Sequence, residues 1–155
     1  MDKGSYSKFF LMLAASFVVM HLITYLNTYE WDHIYPSINR FYMTTLMVAA
    51  MGLLMLGFMA HMYPDKGKNR LIALGCVAVF GGALAMLRSQ TLVNDTRFME
   101  SMIPHHSIAI LVSKRATLKD PEVRTLADSI ISAQQREIGQ MKRMLARLAK
   151  EPAAQ

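Results

Sequence analysis

The residues of this chain best suited to chemistry lie in the run Asp95-Thr96-Arg97-Phe98-Met99-Glu100-Ser101-Met102-Ile103-Pro104-His105-His106. Two adjacent imidazoles follow the Met102 thioether by one helical turn, and the Asp95 carboxylate stands about two turns upstream of that thioether. Thioether and imidazole suit Cu(I), a soft ion that carboxylate-only sites hold poorly. Side chains at i and i+3 or i+4 share a helix face and can hold one ion. Adjacent positions point about 100° apart, so one histidine can ligate while its neighbour reaches another chain or solvent. The competing reading is a pair of hydrogen-bonded structural histidines.

Helices must position these groups. Of the 155 residues 53% are hydrophobic, and the formal net charge is +6. The length suits one compact unit. The apolar residues, however, concentrate in three stretches, 9–26, 41–62 and 71–87. Charge falls at the extreme N-terminus, around 66–70 and after Arg88. A hydrocarbon core of about 30 Å takes roughly 20 apolar residues as a helix, and these stretches lack the polar stripes of a soluble bundle. The expectation is an all-α chain: a three-helix membrane domain over 1–90, then an extramembrane antiparallel helical hairpin over 91–155.

Lys3 and Lys8 precede the first stretch as they would in a secretory signal, but no small-x-small cleavage site follows it. It runs instead into Thr28-Tyr29-Glu30-Trp31, an aromatic interfacial belt, and reads as a retained anchor. Lys3, Lys8, Lys66, Lys68 and Arg70 share one side, and the connection over 30–39 has no Lys or Arg. That bias puts the N-terminus in the cytoplasm and the hairpin outside, which in a bacterial inner membrane is the periplasm. The single cysteine, Cys76, excludes a disulfide framework within the chain and reads as a small packing residue. The basic balance does not indicate nucleic acid: tail cations alternate with Asp120, Glu122, Asp128 and Glu137, as on solvated helix faces. Lys142, Arg143 and Arg147 remain suited to anionic lipid head groups.

Within the tail, Asp95, Phe98, Met102, His105, Ala109, Val112 and Ala116 are spaced alternately three and four, a heptad seam. Ala127, Ile130, Gln134, Glu137, Met141, Met144 and Leu148 form a second seam. Asp120 suits an N-cap, Pro121 the first helical position and Glu122 the positive end of the helix dipole. A short connection makes the helices antiparallel, with His105 near Gln134, Met102 near Glu137 and Phe98 near Met141. Asp95, His105, Gln134 and Glu137 then form a polar layer that must be hydrogen-bonded or metal-bound, since unpaired buried polar groups are costly. A carboxylate there can accept the second ring N–H of a ligating histidine. Pro104 either kinks the first helix or marks its start. Two helices alone bury too little to offset their ordering entropy. The hairpin therefore packs on the membrane helices or pairs with a second copy into a four-helix bundle, and a homo-oligomer is expected.

Asp95, Phe98, Met102, His105, His106 and Ala109 reproduce the pattern D-x2-F-x3-M-x2-HH-x2-A, and Gln134, Glu137, Ile138 and Met141 reproduce Q-x2-EI-x2-M. With these two signatures the tail, about 94–148, resembles the domain of unknown function 305 family. The resemblance implies a helical, ferritin-like hairpin or bundle, often exported or membrane-anchored, with copper-binding and copper-resistance proteins among its members. Where the family commonly has Gln-Gly and then Met after the paired histidines, this chain has Ser107, Ile108 and Val112. Met99 and Met144 are the thioethers placed to replace the missing one.

In the second apolar stretch Met43, Met47, Met51, Met55 and Met59 recur every fourth residue, a row that drifts about 40° per step around the helix. Adaptable packing is one reading. The other is a thioether path for Cu(I) through the bilayer, ending at His61, and three spans with Met-x3-Met on the second resemble the eukaryotic high-affinity copper transporters in architecture. His21 must find a partner on a neighbouring helix. Glu30, Asp32 and His33 suit either a divalent ion or a solvated loop. Ala78, Gly82 and Ala85 suit close helix contact. No phosphate loop, activated nucleophile or Glu-x-x-His set points to an enzyme. The expected function is a membrane-anchored protein binding Cu(I) or Ag(I) through Met99, Met102, His105, His106 and Met141, in copper homeostasis or resistance. The alternatives are an oligomeric copper permease and a metal-free structural or assembly protein.

Overall fold

The computed structural model describes residues 6–150; Lys3, one of the basic residues behind the expected topology, lies outside the described residues. The chain is helical, with no strand among the described residues. The helices are α1 (Tyr6–Ile23), α2 (Ile38–Phe58), α3 (Lys66–Ser89), α4 (Asp95–Arg115) and α5 (Pro121–Lys150), with short 3₁₀ turns at Trp31–His33 and Ala60–Met62. They form two compact units. One comprises α1, extended to Thr24, together with Asn39–Leu92. The other comprises Tyr25–Ile38 together with α4 and α5, so the loop between α1 and α2 clusters with the tail.

In the first unit α1, α2 and α3 are each long and apolar enough to cross a membrane. α2 is the most enclosed, burying Tyr42, Thr44, Leu46, Ala49, Gly52 and Leu56. The outer faces stay apolar, as helices in hydrocarbon require. At one end Phe9, Leu56 and Tyr63 form a buried cluster. There the Tyr6 hydroxyl donates to Asn69 Oδ1 at 2.8 Å, which brings the starts of α1 and α3, and with them Lys8, Lys66, Lys68 and Arg70, to the same end. Asp65 caps α3 by accepting the Lys68 N–H at 3.0 Å, and that bond holds its carboxyl below the usual range. His21 Nδ1 meets Thr44 Oγ1 at 3.2 Å, and the Thr44 hydroxyl itself donates to the Arg40 carbonyl. The intramembrane imidazole is thus partnered across two helices, as expected.

Close approach of the membrane helices depends on a different glycine from the one expected. A Cβ at Gly52 would lie 3.0 Å from Cys76 Sγ and 3.3 Å from Leu13 Cδ1, so the bare backbone there lets three helices meet. Ala78, Gly82 and Ala85 are exposed instead, and a Cβ at Gly82 would meet nothing within 4 Å.

In the second unit α4 and α5 pack as an antiparallel hairpin. Asn94 caps α4 by accepting the Arg97 N–H at 2.9 Å. Asp120 caps α5 by accepting from Glu122 and Val123, with Pro121 as the first helical residue. Helix α4 runs through Pro104, whose missing N–H leaves the Glu100 carbonyl without its usual helical donor. The core is Met99, Ile103, Ile110, Ile138 and Met141. The seam on α4 is therefore displaced by one residue from the expected one: Phe98, His105 and Val112 are exposed. On α5 the positions Ala127, Met141 and Leu148 hold, while Ile131, Ile138 and Leu145 replace Ile130, Glu137 and Met144. Tyr29 and Tyr35 of the loop pack against the same core.

The two seams make opposite forecasts. Ile103 is fully buried and Val112 is 59% exposed, so Ile103→Ala should cost about 2–5 kcal/mol and Val112→Ala within about 0.5 kcal/mol. Native-state hydrogen exchange of the α4 and α5 amides in the full chain reads both; a larger loss at Val112 would restore the expected seam.

Candidate metal-binding site

A groove of about 410 Å³ runs between α4 and α5. Asp95, Met99, Met102 and His106 line it from α4, and Glu137, Met141 and Met144 from α5. Four thioethers and one imidazole therefore share one concave surface, with a carboxylate at each side. Phe98 and Leu148 add apolar walls, and Gln140 and Arg147 add polar ones; no sequence pattern marks Gln140, and Arg147 reads from the sequence only as a cation suited to lipid head groups. His105 is exposed and does not line the groove. Gln134 is half-buried in α5 and does not line it either. The two histidine rings stand 6.0 Å apart at 64°, consistent with neighbouring helix positions pointing in different directions.

His106 is held at both nitrogens. Nδ1 lies 2.9 Å from the Met102 carbonyl, and Nε2 lies 2.7 Å from Glu137 Oε2. A carbonyl only accepts, so Nδ1 donates. The Glu137 carboxylate lies against the other nitrogen, Nε2. The Met102 carbonyl thereby makes Nε2 the nitrogen open to a metal, as a ligand's outer hydrogen bond commonly does. A cation at Nε2 would take the place of Glu137. The exchange is feasible sterically: the Glu137 side chain is 51% exposed, while the His106 ring is only 12% exposed.

The loop Tyr25–Ile38 covers the other face of α4. Ser107, fully buried, accepts the Tyr29 N–H at 2.7 Å, and its Oγ lies 3.0 Å from His33 Nδ1. Lys114 donates to the Tyr29 hydroxyl at 2.8 Å and sits 4.5 Å from the centre of its ring. Lys142 of α5 hydrogen-bonds Asp32 Oδ2 and so holds the Asp32 carboxyl below the usual carboxylate range. Burial pushes the His33 imidazole below its usual value, and the nearby Lys142 charge adds to this. The sequence signal for this docking was slight: Ser107 stands where the resembled family has glutamine, and Tyr29 reads equally well as an interfacial aromatic.

In α2, Met43 and Met47 are exposed and Met51 is half-buried, while Met55 and, just past the helix, Met59 pack on the cluster around Phe9. His61 is exposed in the turn that follows. The methionine row thus winds from the outer surface into the packed end of its unit.

The family described as a domain of unknown function, DUF305, matches residues 95–155. An uncharacterized protein of Acanthamoeba polyphaga mimivirus is 34% identical over 143 residues, 90% of this chain and 91% of the viral one, so the similarity takes in the membrane helices as well as the hairpin. No solved structure matches.

Ser107→Ala removes the partner of both the Tyr29 N–H and His33 Nδ1, and leaving such buried groups unpaired costs about 1–3 kcal/mol. The expected outcome is exchange at the Tyr29 amide faster by roughly tenfold or more, with the α5 amides less affected; unchanged Tyr29 protection would show that the loop is held by other contacts.

Proposed function

We propose, from the premise that this chain belongs to the domain of unknown function 305 family, that it is a membrane-anchored protein whose extramembrane hairpin binds a soft cation, Cu(I) or Ag(I). Its role is sequestration or handover in copper homeostasis or resistance, without catalysis. One observation carries this reading: the Met99, Met102, Met141 and Met144 thioethers line the same groove as the His106 ring. Soft sulfur and imidazole donors select Cu(I) over the hard divalent ions that carboxylates favour. His106 is the proposed imidazole ligand, through Nε2. Asp95 and Glu137 line the groove as carboxylates and are not proposed as ligands; Glu137 holds the His106 ring while the site is free of metal. Exposed His105 remains available to a second copy.

The groove is open along one side and rich in methionine, which suits a second hairpin as well as an ion. Pairing across it gives the four-helix arrangement in which metal sites of helical proteins usually lie, so the functional form we propose is a homo-oligomer. The basic residues at the shared ends of α1 and α3 support placing that end in the cytoplasm and the hairpin outside, at the periplasmic face if the membrane is a bacterial inner one. The winding methionine row of α2 gives less support to a permease.

The test is a Cu(I) titration of the full-length, detergent-solubilised protein against a competing chelator, with the mass of the complex measured alongside. Met102→Leu, Met141→Leu and His106→Ala should each weaken binding by roughly tenfold or more, as loss of a ligand or its support does elsewhere, and His105→Ala by less. Absence of Cu(I) binding, or affinities indifferent to all four changes, would leave a structural protein. A monomer at all concentrations would remove the pairing but not the site.

A further inference from the structure

We propose that Glu30, Asp32 and His33 form a second, chemically different metal site, for a divalent ion of the zinc class, that clamps the loop Tyr25–Ile38 onto α4. One ligand atom from each residue lies within 4.8 Å of the others. His33 Nε2 is 3.6 Å from Glu30 Oε2 and 3.7 Å from Asp32 Oδ1. These separations exceed hydrogen-bond length. They match two ligands of one ion with bonds of about 2.1 Å and an angle near 120° between them. The imidazole and carboxylate set is borderline to hard, unlike the thioether groove, and suits divalent ions over Cu(I).

Independent of the acidic pair, the imidazole itself points to a ligand. Its side chain is 7% exposed, and among the described residues Nε2 has no partner within hydrogen-bond distance. The reason lies on the other side of the ring. Ser107 Oγ accepts the Tyr29 N–H and lies 3.0 Å from His33 Nδ1; when the ring carries its proton on Nδ1, Ser107 retains a lone pair to accept it. In that tautomer Nε2 turns a lone pair toward two carboxylates, an arrangement that a cation between them resolves. A ligating histidine whose other nitrogen is fixed by a hydrogen bond is the usual construction of such sites. Asp32 is likewise oriented: Lys142 holds Oδ2, and Oδ1 faces the ring. Two carboxylates against one ammonium leave one negative charge for the ion to meet.

The ion would tie together segments far apart in the chain: the 3₁₀ turn at Trp31–His33, and through Ser107 the helix that bears His106 at the adjacent position. It therefore acts as a stabiliser of the extramembrane unit and leaves coordination positions open for water or a partner's carboxylate.

The experiment is titration of the full-length, detergent-solubilised protein with Zn(II), and with Co(II) as a spectroscopic probe, in the absence of copper. The expected result is one ion per chain, weakened roughly tenfold or more by Glu30→Gln and by Asp32→Asn. Glu122→Gln, an exposed carboxylate elsewhere on α5, should leave it unchanged. Zn(II) should slow exchange of the Tyr29 amide in the native chain and fail to do so in Glu30→Gln. Glu30 is exposed, so its substitution spares the fold even if His33→Gln does not. Zn(II) affinity indifferent to Glu30→Gln and Asp32→Asn, or Tyr29 exchange indifferent to Zn(II), would overturn the proposal; failure of Cu(I) to bind would not touch it.

Discussion

Two helices cannot enclose a core, and in this protein the missing wall is a loop. Its docking turns on a buried hydroxyl. Ser107 accepts the Tyr29 N–H and meets His33 on the face of α4 that the loop covers. Tyr29 and Tyr35 then extend the apolar cluster of Met99, Ile103, Ile110, Ile138 and Met141. Ion pairing with Lys142 and the Lys114–Tyr29 contact lie at the edges, where they contribute little energy but restrict register. Once one face of α4 is spoken for, the opposite face has to meet α5, and that choice places every other side chain of the hairpin.

The groove inherits its character from that placement. Rotation of α4 brings His106 inward and leaves His105 in solvent. The inward ring is held by two acceptors, the Met102 carbonyl behind it and the Glu137 carboxylate in front. A helix carbonyl is a fixed acceptor, while a half-exposed glutamate is a movable one. The ring is thus held by a fixed acceptor on one side and by a movable one on the other.

The membrane unit obeys a different economy. Its helices turn apolar side chains outward, because lipid offers no reason to hide them, and meet where side chains are smallest. Gly52 is that place, against Leu13 and Cys76. His21 and Thr44 satisfy each other across α1 and α2. Aromatic rings of Tyr6, Phe9 and Tyr63 close the end at which the lysines gather.

Much of this was legible in the chain. Length and hydropathy determine three spans, since a bilayer's thickness sets a residue count and hydrocarbon excludes charge. Asp120-Pro121-Glu122 determines the start of α5, because a cap side chain and a fixed φ act locally. The two separated signatures identify the family. What the chain alone left undetermined is the phase of α4. Seams beginning at Phe98 and at Met99 both satisfy three-four spacing, and they differ by one residue, about 100° of rotation. Tertiary structure chose the second, because a loop some 70 residues earlier supplies the Tyr29 amide and the His33 ring that a buried Ser107 needs. That long-range bond, which no local pattern encodes, decided which histidine faces the methionines.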